Sequence, residues 1–100
     1  MNQKNELKQK ILSETAKIDW SALETFYAKG SVIWVSSNVD LIDIAMKFAE
    51  DDTASIQNLL VSGEIEKMTP EKARKWQQQS GLWATVVAPW VLVQHRPKIN

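Results

Sequence analysis

The run GLWATVVAPWVLVQHRP, Gly81–Pro97, limits the possible fold more than any other stretch of this chain. From Leu82 to Val93 it is twelve residues long, and Thr85 is its only polar side chain. A membrane-spanning helix needs about 20 apolar residues, so the run is too short to cross a bilayer. Pro89 would also break a helix here, because its ring removes an N–H and clashes with the preceding turn. Trp83, Val86, Val87, Trp90, Val91 and Val93 are residue types that favour strands. Pro89 cannot donate a ladder hydrogen bond, so it belongs at a bulge, a bend or an unpaired edge position. The run therefore reads as two strand halves, Leu82–Ala88 and Trp90–Gln94, with a kink between them and helices covering their apolar side chains.

One hundred residues suit a single domain, 1–100, whose residues 1–5 are expected to be disordered. The chain is 44% apolar and 24% charged, ordinary values for a soluble globular protein. Five Trp is a high count, and each ring buries roughly 150–250 Å², which enlarges a core that is marginal at this length. Without cysteine there is no disulfide, no thiol nucleophile and no thiolate metal site, which fits a reducing cytoplasm. The N-terminal MNQKNELKQKILSETAK has no apolar run behind its lysines and does not read as a secretory signal.

Five helices are predicted. The first covers Asn5–Lys17, with Leu7, Ile11 and Ile18 on one stripe. The second starts at Asp19, with Ile18 and Leu23 as a hydrophobic staple, or in a competing frame at a Ser21–Glu24 capping box, and stops at Lys29-Gly30. Asn38 or Asp40 caps the third, where Leu41, Ile44, Ala45, Phe48 and Ala49 repeat at helical spacing. The fourth runs from about Thr53 to Val61, with Ile56, Leu59 and Leu60 inward and Gly63 as its stop. Thr69-Pro70-Glu71 begins the fifth, which is expected to reach nearly to Gly81. Ser31–Ser37, around Val32–Val35, reads as a strand covered on both faces, and Glu64–Met68 as an edge strand. Together these give an α+β fold: about five helices around a small, mostly antiparallel three-stranded sheet, in a winged-helix-like order. Trp34, Phe48, Leu59, Trp83 and Val91 are expected in the core.

No catalytic, cofactor-binding or metal-binding residue is predicted. Glu50-Asp51-Asp52 joins two helices, and acids there cap free N–H groups and face a positive dipole end. Asp40 and Asp43 lie in the first turn of the third helix, where the same reasoning holds. His95 is the only histidine, so no Ser–His–Asp arrangement can be argued around it. Gly30, Gly63 and Gly81 stand singly at helix ends, which excludes a glycine-rich phosphate loop.

The net charge is zero but unevenly spread. Residues 40–66 hold seven acids against one base, and residues 67–100 hold six bases against one acid. Complementary regions of this kind suit self-association or docking to a protein partner. The main reading is accordingly a non-catalytic interaction module, acting as a homodimer or with another protein. Its expected surface comprises Pro89, Trp90, Glu50, Asp51 and Asp52. The alternative is a winged-helix-like DNA-binding protein with Ser55, Gln57 and Asn58 in the major groove. Carboxylates on the docking segment oppose phosphate, so nucleic acid is the disfavoured partner.

Three stretches carry a resemblance: LSETAKIDWSALETFYAKGSVIWV, VDLIDIAMKFAEDD and LWATVVAPWVLVQ. Together they resemble a family of small bacterial proteins, domain of unknown function 2288, over roughly Leu7–Gln94. The resemblance implies a bacterial, cytoplasmic, single-domain protein and transfers no activity or site residue.

Overall fold

The computed structural model describes residues 3–78 and 80–96. In chain order the elements are α1 (Gln3–Glu14), β1 (Ala16–Lys17), α2 (Trp20–Ala28), β2 (Val32–Val35), α3 (Leu41–Ala49), α4 (Thr53–Ser62), β3 (Ile65–Lys67), α5 (Pro70–Trp76), β4 (Leu82–Val87) and β5 (Trp90–His95). Residues 1 and 2 of the segment expected to be disordered lie outside the described residues, and α1 begins at Gln3.

The two strand halves form a hairpin. Val87 lies opposite Trp90, so Ala88 and Pro89 make the turn, with a cis bond between them. Pro89 is thus where no ladder hydrogen bond is required of it. The rest of the sheet departs from the expected three antiparallel strands. It has five strands in the order β1-β4-β5-β2-β3 and is mixed, because β2 and β5 run parallel. Parallel neighbours need a long crossover, and here α3, α4, β3, α5 and β4 all lie between them in the chain. The winged-helix-like arrangement is overturned with it. The hairpin is no peripheral wing, since β5 occupies the centre of the sheet.

The fifth strand, β1, comes from residues predicted to end the first helix. Thr15 stops α1 by folding its hydroxyl back onto the Ile11 carbonyl (2.6 Å) and its N–H onto the Leu12 carbonyl (3.3 Å). Ala16 and Lys17 then pair with Ala84 and Trp83. Likewise α5 ends at Trp76, before the exposed Gln77 and Gln78, and stops short of Gly81.

Helices cover both faces of the sheet. Alternating side chains point to opposite sides of a strand, so Ile33, Val35 and Leu92 join Ile65 against Ile11, Leu41, Ile42, Ile44 and Ala45. Val32, Trp34, Val91 and Val93 face the other way, with Leu23, Met68, Ala73, Leu82 and Ala84. All four β2 residues are buried, as the unbroken apolar run predicts. Trp34 and Val91 are core residues, whereas Phe48, Leu59 and Trp83 are only partly buried. Leu60, expected inward, is 42% exposed, because α4 lies over β3 at the sheet's edge and meets the core with Ile56 and Leu59.

The helix starts follow capping chemistry in three cases. Asp40 accepts from the Ile42 and Asp43 N–H groups, Asp52 from Ser55, and Thr69 from Lys72. The fourth case differs: Asp19 occupies the cap position of α2, but its side chain makes no cap hydrogen bond.

Candidate functional site

Near the hairpin turn the last turn of α3 approaches β4 and β5. Phe48 meets the Trp90 ring edge-on, with centroids 6.5 Å apart and an interplanar angle of 68°. Lys67 Nζ sits 6.0 Å from the centre of the Trp90 ring, within range of a cation–π contact. Alongside lies a cleft of about 410 Å³. Leu7, Ile11, Ala49, Val86, Val87 and Ala88 make its walls apolar, and Lys10 and Glu14 of α1 add one charge of each sign.

The residues expected to form an interaction surface converge on this end of the molecule. Ala88 and Ala49 line one cleft, which brings exposed Pro89 beside the acidic corner Glu50-Asp51-Asp52. Trp90 is half-buried.

The acidic corner is built by helix ends. Asp51 has φ 55°, the left-handed region in which Asp is among the tolerated residues, and its N–H donates to the Phe48 carbonyl at 3.1 Å. The Asp52 N–H donates to the Lys47 carbonyl at 2.9 Å, closing α3. Asp52 then opens α4: its carboxylate accepts from the Ser55 hydroxyl at 2.7 Å and the Ser55 N–H at 3.2 Å. These bonds, the hydroxyl's first, hold the Asp52 carboxyl below the usual carboxylate range, with a smaller contribution from Lys47. Among the described residues no three His, Asp or Glu side chains gather where they could hold a metal ion.

The alternative DNA-contact set is placed differently. Ser55 is committed to the Asp52 cap, while Gln57 and Asn58 are exposed on α4, which carries no basic residue. No helix among the described residues is long and apolar enough to cross a membrane.

Two polar features escaped the sequence reading. Gln94, 3% exposed in a central strand, donates from Nε2 to the carbonyls of Ser36 (2.8 Å) and Val39 (2.6 Å). Its Oε1 accepts from Arg96 Nε at 3.1 Å. A lone amide at the end of VLVQ was the available signal. The Trp76 ring packs against both Trp34 (centroids 4.7 Å apart) and His95 (4.6 Å), a non-local contact that the sequence does not announce.

A five-stranded mixed sheet with helices on both faces, and an apolar cleft where a hairpin meets a helix corner, define a small α+β domain. The chain belongs to the family described as protein of unknown function (DUF2288), whose model matches residues 6–95. It is similar to the NMR solution structure of PA1075 from Pseudomonas aeruginosa, with 35% identity and a TM-score of 0.82. That match covers 98% of this chain and 92% of the other. No curated protein matches.

Proposed function

We propose that this protein is a non-catalytic, self-associating module of the bacterial cytoplasm, pairing through the hairpin end of its sheet. One observation carries the reading: exposed apolar residues of the hairpin border an apolar cleft. Val86, 49% exposed, is one of the cleft's lining residues, and exposed Pro89 follows the lining residue Ala88. A surface of this kind suits a second copy in a two-fold arrangement, in which each hairpin enters the other's cleft. Lys10 and Glu14 on the rim meet their opposites across such an axis, which fixes register without large net charge.

Sedimentation velocity from about 1 μM to about 1 mM tests this, since association worth roughly 6–8 kcal/mol lies in that range. The wild type should move from monomer to dimer. Val86→Lys, at a half-exposed position, should stay monomeric with unchanged thermal unfolding. A wild type that stays monomeric throughout, or a Val86→Lys variant that dimerises equally well, defeats the proposal.

A further inference from the structure

α1 and β1 are held to the rest of the sheet by few buried groups. Between Asn5 and Lys17 one side chain, Ile11, is buried, Leu7 and Thr15 are half-buried, and the other ten are exposed. By contrast α3, of nine residues, buries Leu41, Ile42, Ile44 and Ala45. A helix of twelve residues is marginal in water by itself, so α1 depends on this thin packing. The hydroxyls of Ser13 and Thr15 bond back onto carbonyls of α1 itself, at Lys10 and Ile11. β1 adds two exposed residues, paired with Ala84 and Trp83 at the edge of the sheet. Where this segment joins the body, Asp19 stands at the cap position of α2 without a side-chain cap bond.

What α1 covers is imperfectly satisfied. The helix packs on α3 and β4. Thr85 of β4 lies opposite Leu92, on the face of the sheet where Ile11 packs. The Thr85 side chain is fully buried, and its hydroxyl has no hydrogen-bond partner among the described residues. Such a group forfeits its bonds to water while it is covered and regains them when the cover lifts. The seam is also open on one side. The cleft of about 410 Å³ runs between α1 and the residues Ala49 and Val86–Ala88. A gap of that size removes contacts that would otherwise hold α1 down along that line.

We infer that residues 3–17 form a hinged arm that opens as a unit about Ile18-Asp19 while the other four strands stay folded, and that pairing at the hairpin end holds it shut. Opening is local unfolding of the segment with the fewest buried groups, and hydration of Thr85 offsets part of its cost. The link to pairing rests on the self-association proposed above and follows from which residues build the cleft. Leu7, Lys10, Ile11 and Glu14 of the arm form one wall, and Ala49 with Val86–Ala88 forms the other. An open arm takes its wall away, so a second copy seats only on the closed form. A partner that binds one of two states shifts the balance towards that state. The effect is reciprocal: whatever loosens the arm weakens the dimer, and dimerisation closes the arm.

The test is amide hydrogen exchange of the whole protein, read by mass spectrometry on fragments from the arm and from the central strands. At about 1 μM, arm fragments should exchange about 100-fold or more faster than fragments from β2 and β5. Thr85→Val, which keeps nearly the same shape and removes the unpartnered hydroxyl, should slow exchange in the arm about threefold to thirtyfold. A helix that only frays at its ends leaves Thr85 covered and does not respond. With free protein at about ten times the dimer Kd, exchange in the arm should slow about tenfold, because only the closed form pairs. Arm fragments that exchange as slowly as β5 at about 1 μM overturn the inference whether or not the protein pairs. So does a Thr85→Val variant whose arm exchanges at the wild-type rate. If sedimentation shows a dimer but the arm exchanges equally fast at every concentration, the link to pairing falls and the dimer stands. If sedimentation shows a monomer throughout, the link falls with the dimer, and the two low-concentration measurements decide the hinge.

Discussion

Replacing Gln94 tests how the loop after β2 is held. The buried amide joins the centre of the sheet to the Ser36–Asp40 connection through two hydrogen bonds, to Ser36 O and Val39 O. In Gln94→Met the volume is kept and both donors are lost. Each hydrogen bond contributes about 0.5–1.5 kcal/mol net. The Ser36 carbonyl still accepts from the Val39 N–H at 3.3 Å, but the Val39 carbonyl is left without its side-chain donor. Desolvation of that one group adds about 1–3 kcal/mol. The expected loss is therefore about 2–6 kcal/mol, a large fraction of the roughly 5–15 kcal/mol available to a domain. Urea unfolding followed by tryptophan fluorescence, with an unchanged m-value, measures it. A loss below about 0.5 kcal/mol would mean that the clamp is dispensable and refute the reasoning.

Gln94→Glu gives the same site a sign that depends on pH. Burial and two carbonyl oxygens facing the new carboxylate push its folded-state pKa above the ordinary value of about 4.3, and Arg96 offsets part of this. A group raised in the folded state contributes its stability below the unfolded pKa and loses it as pH rises through the folded one. The gap to wild type should therefore narrow on moving from pH 7 towards about 4.

Two further perturbations have definite outcomes. Gly81 has φ +83°, and a Cβ there would lie 2.8 Å from the Arg96 carbonyl oxygen, whereas one at Gly63 (φ +82°) meets nothing within 4 Å. Gly63→Ala should cost about 1–2 kcal/mol from backbone strain alone, and Gly81→Ala clearly more, measured as the difference in Tm. Asp52 is held below its ordinary value in the folded state, so its contribution is present above pH 3.8 and disappears as pH falls through the folded pKa. Asp52→Ala should lower Tm at pH 7 and flatten the acid limb of stability against pH, as read by circular dichroism.

What the sequence discloses follows from how local each signal is. α3 is legible because Asp40 supplies a cap and Leu41, Ile44 and Ala45 supply the period within one short window. The hairpin is legible because Pro89 interrupts an apolar run long enough for two strands. β1 is not, since Ala16 and Lys17 are good helix formers that continue the pattern of α1, and only the open edge of β4 makes them a strand. Nor is the parallel pairing of Val32–Val35 with Val91–Gln94, whose partners lie far apart in sequence and leave no local trace. The hairpin cleft shows the same division. Pro89, Trp90 and the acids could be marked individually, but the α1 side chains that complete it could not.

The place of β5 also constrains synthesis. Until residues 90–95 have left the ribosome, β2 has only β3 beside it, and β4 has neither β5 nor a bridge to the rest of the sheet. A nascent chain that has reached the turn at Pro89 therefore holds two unjoined pieces, each with uncovered backbone along one side. In this topology the last strand made is the one that joins them.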